Sequence, residues 1–220
     1  MFLPQSGSAP SKRVRFGRYV ARRLRRANKS SLADGVVAVN HDVKATSRAT
    51  EDALEALEDA RADRDAADEA LDLPTQTARA ALAGRSVDAA QQRPYTDIFP
   101  NGIDEYIAAP LAAQVSRYRT LRARVVEALP ESDTVRVTLL AALDAGLVTW
   151  QAAVEAVDAA QQAVVLARAA EARAADAWSR QLERTYGVLV SELGRTAARR
   201  FFPRQRRNSG DSTMGPADDA

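Results

Sequence analysis

The sequence predicts an all-α protein, an elongated antiparallel helical bundle or coiled-coil rod. Alanine, the strongest helix former, supplies 46 of the 220 residues. Aromatic residues make up only 5% of the chain, which disfavours strands and a large round core. Between Pro130 and Phe202, roughly seventy residues contain no further proline, far beyond the length of an ordinary globular helix.

A first helix is predicted from about Arg13 to Leu71. Apolar residues recur between Leu32 and Ala60 at steps of four and three, the spacing of one buried helical face. Residues 28–35 (NKSSLADG) contain a potential break, after which Ser30 or Ser31 would cap a new helix.

A second, alanine-rich helix is predicted from about Pro74 to Gln92, because proline suits a first helical turn. Residues 93–102 (RPYTDIFPNG) hold two prolines and an Asn-Gly pair, so we expect a break there. A third helix follows from about 103 to 129, and Pro110 either kinks or restarts it.

The fourth predicted helix spans about 131–200 and has the clearest apolar row. Between Leu140 and Val164 this row follows alternating steps of three and four residues, the period of a coiled coil. It reappears from Trp178 to Leu193. The final helix is therefore predicted to be a single long element that packs along others.

Two arrangements follow from the predicted lengths. If the second and third helices are collinear, the fold is a three-layer rod with an interrupted middle helix, which we favour. If they fold back at residues 93–102, the fold is a four-helix bundle. The first arrangement would separate the two chain ends, and the second would bring them together.

Charge and composition divide the chain into four predicted regions. Residues 1–11 and 203–220 are rich in Pro, Gly and Ser and are expected to be disordered. Residues 12–29 form a basic amphipathic arm with nine Lys or Arg and no acidic residue. The helical bundle occupies residues 30–202. Although the net charge is only +2, the charges are therefore distributed very unevenly along the chain.

The residue types do not form a recognisable catalytic or metal site. The chain has no cysteine and a single histidine, His41, so neither a thiolate site nor a His-based di-iron motif is present. Nucleophile elbows and phosphate-binding glycine loops are also missing from the sequence. We expect no enzyme activity, cofactor or small-molecule substrate. Without a long apolar run or signal peptide, we expect a cytoplasmic protein that could attach to a membrane peripherally.

The basic arm is the first candidate site, because its apolar residues fall on one side of a helix and its cations on the rest. Such a helix suits an anionic membrane, a nucleic acid or an acidic protein groove, or simply packs on its own bundle. A second cationic segment follows near the C-terminus. The candidate anionic-surface residues are Arg15, Phe16, Arg18, Tyr19, Arg22, Arg23, Leu24, Arg25, Arg26, Arg199, Arg200 and Arg204.

The loop at residues 93–102 is the second candidate site. Tyr95, Ile98 and Phe99 are large apolar residues in a chain that has few. They either pack back on the bundle or form a protein interface, since exposed apolar patches mark interfaces.

These patterns predict a non-enzymatic helical scaffold or assembly protein that is attached to an anionic surface, preferably a membrane, through its arginine-rich arms. Nucleic-acid association with oligomerisation is one alternative, and an adaptor on a larger protein assembly is another. The expected partners are further copies of the chain or a larger protein assembly.

Overall fold

A computed structural model describes residues 3–5 and 7–203, and these residues contain helices and no strand. The predicted all-α class is confirmed. The α-helices are α1 (Pro10–Arg26), α2 (Ser30–Ala83), α3 (Tyr95–Ile98), α4 (Asp104–Ile107), α5 (Leu111–Ala128) and α6 (Thr134–Ala198), with 3-10 turns at Ala89–Gln91 and Arg199–Phe201.

The chain divides into two compact units. The terminal unit comprises Met1–Asp52 and Val165–Ala220, and the central unit comprises Ala53–Val164. Helices α2 and α6 contribute residues to both units, and within each unit they run antiparallel. In the terminal unit, Lys29, directly before α2, lies with its Nζ 2.6 Å from Glu192 Oε2, and Asn40 further along α2 accepts from Trp178, so the α6 numbers fall as the α2 numbers rise.

Helix α1 begins at Pro10, inside the stretch predicted to be disordered, and ends at Arg26. Asn28 has a positive φ of 57°, a conformation that asparagine tolerates at a helix end. Its N–H donates to the Arg25 carbonyl, and the Lys29 N–H donates to the Leu24 carbonyl. This Schellman pattern ends α1 and lets α2 start at Ser30 in the opposite direction.

Helix α2 passes through Pro74 without a break, so the prediction of a separate helix from Pro74 to Gln92 is wrong. Proline removes one backbone donor within a helix. Continued packing outweighs that loss, because Leu71, Ala78 and Leu82 are buried on the core side of the same helix. The Thr75 hydroxyl, also buried, donates to the Leu71 carbonyl at 2.9 Å.

Helix α5 lies beside α2 and does not continue it, so the favoured collinear arrangement is also wrong. Residues 84–110 hold only short helical turns, and Pro110 restarts the chain as α5. Gln114 donates to Asp68, and Tyr118 donates to Asp72. From the first pair to the second, the residue numbers of α2 and α5 both rise by four, so the two helices run parallel. Residues 84–110 therefore carry the chain back along α2 before α5 begins.

Helix α6 begins at Thr134, four residues after Pro130, because Asp133 acts as its cap. The Asp133 Oδ1 accepts the Val135 N–H at 2.9 Å and is also paired with Arg85. The helix is interrupted at Gly194, whose φ of 79° is strained for any other residue. The single long helix predicted to about residue 200 therefore ends near Leu193, and a short helical segment follows.

The core of the central unit contains the residues predicted as a protein interface. Tyr95, Ile98 and Phe99 are all buried, and the Tyr95 and Phe99 ring centroids lie 5.5 Å apart. The Tyr95 hydroxyl also accepts a hydrogen bond from Arg79 Nε at 3.0 Å. These side chains hold residues 93–107 against the unit, so they are not exposed for a partner.

Candidate anion-binding surface

The apolar side of α1 packs inside the terminal unit. Val20 and Leu24 are fully buried, and Phe16 is half-buried beside Trp178, with ring centroids 5.8 Å apart. Leu24 therefore lies in the core and Phe16 packs against it, so the structure does not place these two side chains on an open anion-binding surface; their predicted role stays a prediction. Of the apolar candidates on α1, Tyr19 keeps the most exposure, at 44%.

A buried asparagine fixes α1 against the other two helices of this unit. Asn40 of α2 donates from Nδ2 to the Val14 carbonyl of α1 at 3.0 Å. Its Oδ1 accepts the Trp178 Nε1–H of α6 at 2.7 Å. Gly17 permits this approach, since a Cβ there would lie 2.2 Å from Asn40 Oδ1. With α1 held in this way, Arg15, Arg18, Arg22 and Arg25 are exposed, whereas Arg13 is buried.

Two rows of basic side chains line a groove between α1 and α2, which we call the cationic groove. The first row is on α1, at steps of three, four and three residues, and the second is on α2, at steps of three and four. The groove has a volume of about 880 Å³, and the rows consist of Arg15, Arg18, Arg22 and Arg25 on α1 and His41, Lys44 and Arg48 on α2.

Acidic side chains stand mainly at the ends of the cationic groove. Glu51 is the one acidic residue among its lining side chains. Asp34 pairs with Arg25 at 3.1 Å, and both side chains remain more than half exposed. His41 lies 3.9 Å from Asp42 and is 81% exposed. The centre of the groove is therefore strongly cationic and open to solvent.

The C-terminal basic segment lies beside α1 in the same unit. After Gly194 the chain turns, and Phe202 packs with ring centroids 6.4 Å from Phe16 and 5.5 Å from Tyr186. The favoured three-layer arrangement would place the two basic segments far apart. Their proximity in one unit is therefore a second observation against that arrangement. Arg199 and Arg200 are exposed, and Arg204 lies outside the described residues.

A second cavity, the terminal pocket, forms where the two basic segments meet. It has a volume of about 550 Å³ and is lined by Tyr19, Arg23, Arg200, Phe202 and Pro203. Arg23 follows Arg22 by one residue, which turns it about 100° around the helix from the cationic groove. Helix α1 thus presents cations on two sides, one toward each cavity.

Sequence reasoning places the α1 arginines in the site but misses Lys44 and Arg48 and assigns no role to His41. The sequence signal that could have identified them is the spacing of His41, Lys44 and Arg48, at steps of three and four residues, which puts all three on one face of α2. The apolar row of the same stretch is the stronger pattern and hides this spacing. The antiparallel packing of α1 on α2 is what brings the rows together.

The central unit holds two partly buried polar clusters: one joins α4 to α5, and the other joins α5 to α2. In the first, Glu105 accepts from Arg117 at 3.0 Å and from Arg124 at 3.1 Å. Burial alone would raise the pKa of the Glu105 carboxyl, but hydrogen bonds from Arg124 and Asn101 lower it below its usual value.

The second cluster contains Asp68 and Asp72 of α2 with Gln114 and Tyr118 of α5. Burial, followed by the charge of Asp72, raises the pKa of the Asp68 carboxyl. Burial and the hydrogen bond to Asp72 raise the pKa of the Tyr118 hydroxyl. Within residues 3–5 and 7–203, no three His, Cys, Asp or Glu side chains are grouped so that they could hold a metal ion.

The region from Thr134 to Phe201 contains an 18-residue stretch that is apolar enough, by length and composition, to cross a membrane. Only 22% of that stretch is buried within the protein. This feature is weak evidence for membrane association, because core helices of soluble proteins pass the same test. Comparison with known protein families, curated proteins and solved structures gives no match.

Proposed function

We propose that this protein is a non-enzymatic helical scaffold that attaches to an anionic membrane surface through the arginines of its terminal unit. The observation that carries the proposal is the meeting of the two basic segments at the terminal pocket. Arg23 and Arg200 line that pocket, Arg26 follows one turn along α1, and Arg199 precedes Arg200. All four side chains are exposed.

Attachment of this kind is electrostatic and peripheral. The apolar side of α1 is already used in the core, so this helix has no long apolar stripe left to enter the bilayer. Each Arg or Lys near an anionic leaflet contributes about 1 kcal/mol, so four arginines supply about 4 kcal/mol at moderate salt. Tyr19 stands beside them with a half-exposed ring, a residue type that favours the headgroup region. We place the protein at the cytoplasmic leaflet, which carries the anionic lipids.

The scaffold part of the proposal rests on the long antiparallel helices α2 and α6. Their buried residues follow coiled-coil-like steps, as in Leu139, Leu143 and Trp150 of α6. We propose that these helices pack as a coiled-coil type of bundle, whose task is to hold the cationic surfaces in place.

Co-sedimentation of the full chain with vesicles tests the attachment. The vesicles contain either phosphatidylcholine alone or phosphatidylcholine with phosphatidylserine. The pocket variant carries Arg23→Gln, Arg26→Gln, Arg199→Gln and Arg200→Gln. The matched control carries Arg168→Gln, Arg173→Gln, Arg180→Gln and Arg184→Gln, four exposed arginines of α6 whose loss changes the net charge equally.

We expect the wild type and the control to bind anionic vesicles, and the pocket variant to bind several-hundredfold more weakly, the loss that corresponds to about 4 kcal/mol. Equal weakening in the pocket variant and the control would mean that only net charge matters, and would overturn the proposed site. A gel shift with an oligonucleotide is the second arm. Tight oligonucleotide binding without vesicle binding would favour the nucleic-acid alternative instead.

A further inference from the structure

The spacing of the basic side chains along the cationic groove suits a partner helix. Its two basic rows follow helical steps of three and four residues, so successive cations stand about one helical turn, or 5.4 Å, apart. A partner helix with acidic side chains at the same steps would match both rows along its length. Six Arg or Lys side chains line the groove against the single acid Glu51.

The same chain carries an acidic row with this spacing. Glu55, Glu58, Asp65 and Glu69 of α2 are all exposed, at steps of three, seven and four residues. They share one exposed side of α2, roughly 80–160° around the helix from the buried Leu57. Over residues 55–69 there are seven acidic and two basic residues, so this stretch is about as negative as the groove is positive.

The acidic row cannot enter the groove of its own molecule. Val37, Lys44 and Glu51 of α2 line the groove, and the acidic row continues further along the same helix. A continuous helix extends by 1.5 Å per residue and does not fold back on itself. An acidic row that occupies the groove therefore belongs to another molecule.

We infer that the cationic groove of one molecule receives the acidic row of α2 from a second copy of this chain. Charge complementarity and matching helical steps carry this inference. It rests on the scaffold part of the proposed function and deepens it by naming the assembly contact. Glu58 and Asp65 already pair with Arg61 and Arg64 of their own helix, at 2.8 and 2.6 Å. On docking, these carboxylates would exchange their own arginines for those of the groove or bind both.

The predicted contact is weak for each pair of charges and sensitive to salt. Exposed ion pairs contribute little individually, so binding requires most of both rows. At high ionic strength, charges of this kind are screened within a few ångströms. Self-association should therefore appear at low salt and at protein concentrations in the micromolar range or above.

Sedimentation velocity of the full chain, without vesicles, tests the inference. The groove variant carries Arg15→Gln, Arg18→Gln, Arg22→Gln and Lys44→Gln. The row variant carries Glu55→Gln, Glu58→Gln, Asp65→Asn and Glu69→Gln. Controls with the same charge change are the four-arginine α6 variant above, and Glu127→Gln, Glu155→Gln, Asp158→Asn and Glu183→Gln for the acids. Circular dichroism checks that each variant keeps its helix content.

We expect the wild type and both controls to associate, and the groove and row variants to associate roughly tenfold more weakly. A charge exchange gives a sharper result. Copies with Arg15→Glu, Arg18→Glu and Arg22→Glu should associate with copies carrying Glu55→Lys, Glu58→Lys and Glu69→Lys, more strongly than either associates with the wild type.

A wild type that stays monomeric at low salt would overturn the inference, and so would association unaffected by both variants. The groove and row variants leave Arg23, Arg26, Arg199 and Arg200 unchanged, so vesicle attachment should persist in them. Loss of self-association and loss of vesicle binding are thereby tested separately.

Discussion

Trp178 and Asn40, 138 positions apart in the sequence, are joined by a buried hydrogen bond of 2.7 Å. The indole N–H donates to the Asn40 Oδ1, while the Asn40 amide donates to the Val14 carbonyl. One side chain thus satisfies polar groups from two neighbouring helices. The position of the α1 arginines depends on this pair.

Replacement of Asn40 by alanine should destabilise the terminal unit by about 2–4 kcal/mol, because it leaves the buried Trp178 N–H without an acceptor and opens a cavity. Urea unfolding followed by circular dichroism measures the change. Gln76→Ala, at an exposed position of the same helix, serves as the control and should change stability by less than about 0.5 kcal/mol.

A companion variant, Trp178→Phe, removes the donor and leaves the Asn40 oxygen unpaired. Combined in one protein with Asn40→Ala, its effect should be smaller than the sum of the two single effects, since both remove the same bond. Additive effects would contradict the description of this pair as a shared interaction.

Gly146 lies where α6 comes close to α2 in the central unit. A Cβ at this position would lie 2.6 Å from Leu71 Cδ2, and Leu71 is fully buried. Gly146→Ala should therefore destabilise the protein by about 1–3 kcal/mol through overpacking, despite alanine's better helix propensity.

Gly187 provides the matched comparison in the same helix, because it is exposed and a Cβ added there would have no atom within 4 Å. Gly187→Ala should stabilise the protein by about 0.5–1 kcal/mol, the propensity gain alone. Thermal unfolding of both variants gives the test. Stabilisation by both substitutions would show that α2 and α6 are not in tight contact at Gly146.

The buried carboxylate of Glu105 should make the central unit sensitive to acid. Its side chain is 8% exposed and lies between Arg117 and Arg124. Because its folded-state pKa is below the unfolded value of 4.5, its stabilising effect is present above that pH and is lost as the pH falls through the folded-state pKa.

Glu105→Gln should cost about 1–3 kcal/mol at pH 7, since it weakens two charged hydrogen bonds. As the pH falls below 4.5 and through the folded-state pKa, the difference from the wild type should shrink, because the wild-type carboxyl becomes protonated as well. Urea unfolding across this pH range measures both effects. A difference that stays constant with pH would rule out the ionised Glu105 as the stabilising species.

Helices with strong apolar periodicity could be predicted from the sequence. Leu143, Trp150, Val157 and Val164 belong to the predicted row of α6, and all four are buried. Leu193 also belongs to the predicted row, yet it is exposed, because Gly194 interrupts the helix directly after it. Local periodicity identifies a helix well but locates its end poorly.

The path of the chain between α2 and α5 could not be predicted. Pro74 favours a first helical turn over a helix interior, and only the packing of the residues around it reverses that preference. The direction of α5 depends on pairs such as Tyr118 with Asp72, which are far apart in sequence. No local pattern contains that information.

Only the α1 part of the candidate site could be predicted from the sequence, and even there the pattern did not show which surroundings the apolar side has. An amphipathic helix such as α1 carries the same pattern whether its apolar side enters a membrane or a core. The burial of Val20 and Leu24 resolves this ambiguity. The second basic row, with Lys44 and Arg48, becomes part of the site only through the fold.

The central claim is that the terminal unit attaches to membranes by charge and without insertion. Binding of the full chain to phosphatidylserine-containing vesicles, measured against increasing NaCl, tests it most directly. We predict strong binding near about 0.1 M salt that is lost by about 0.5 M, as the Debye length shortens. Binding that persists at high salt, or equal binding to neutral vesicles, would contradict the account.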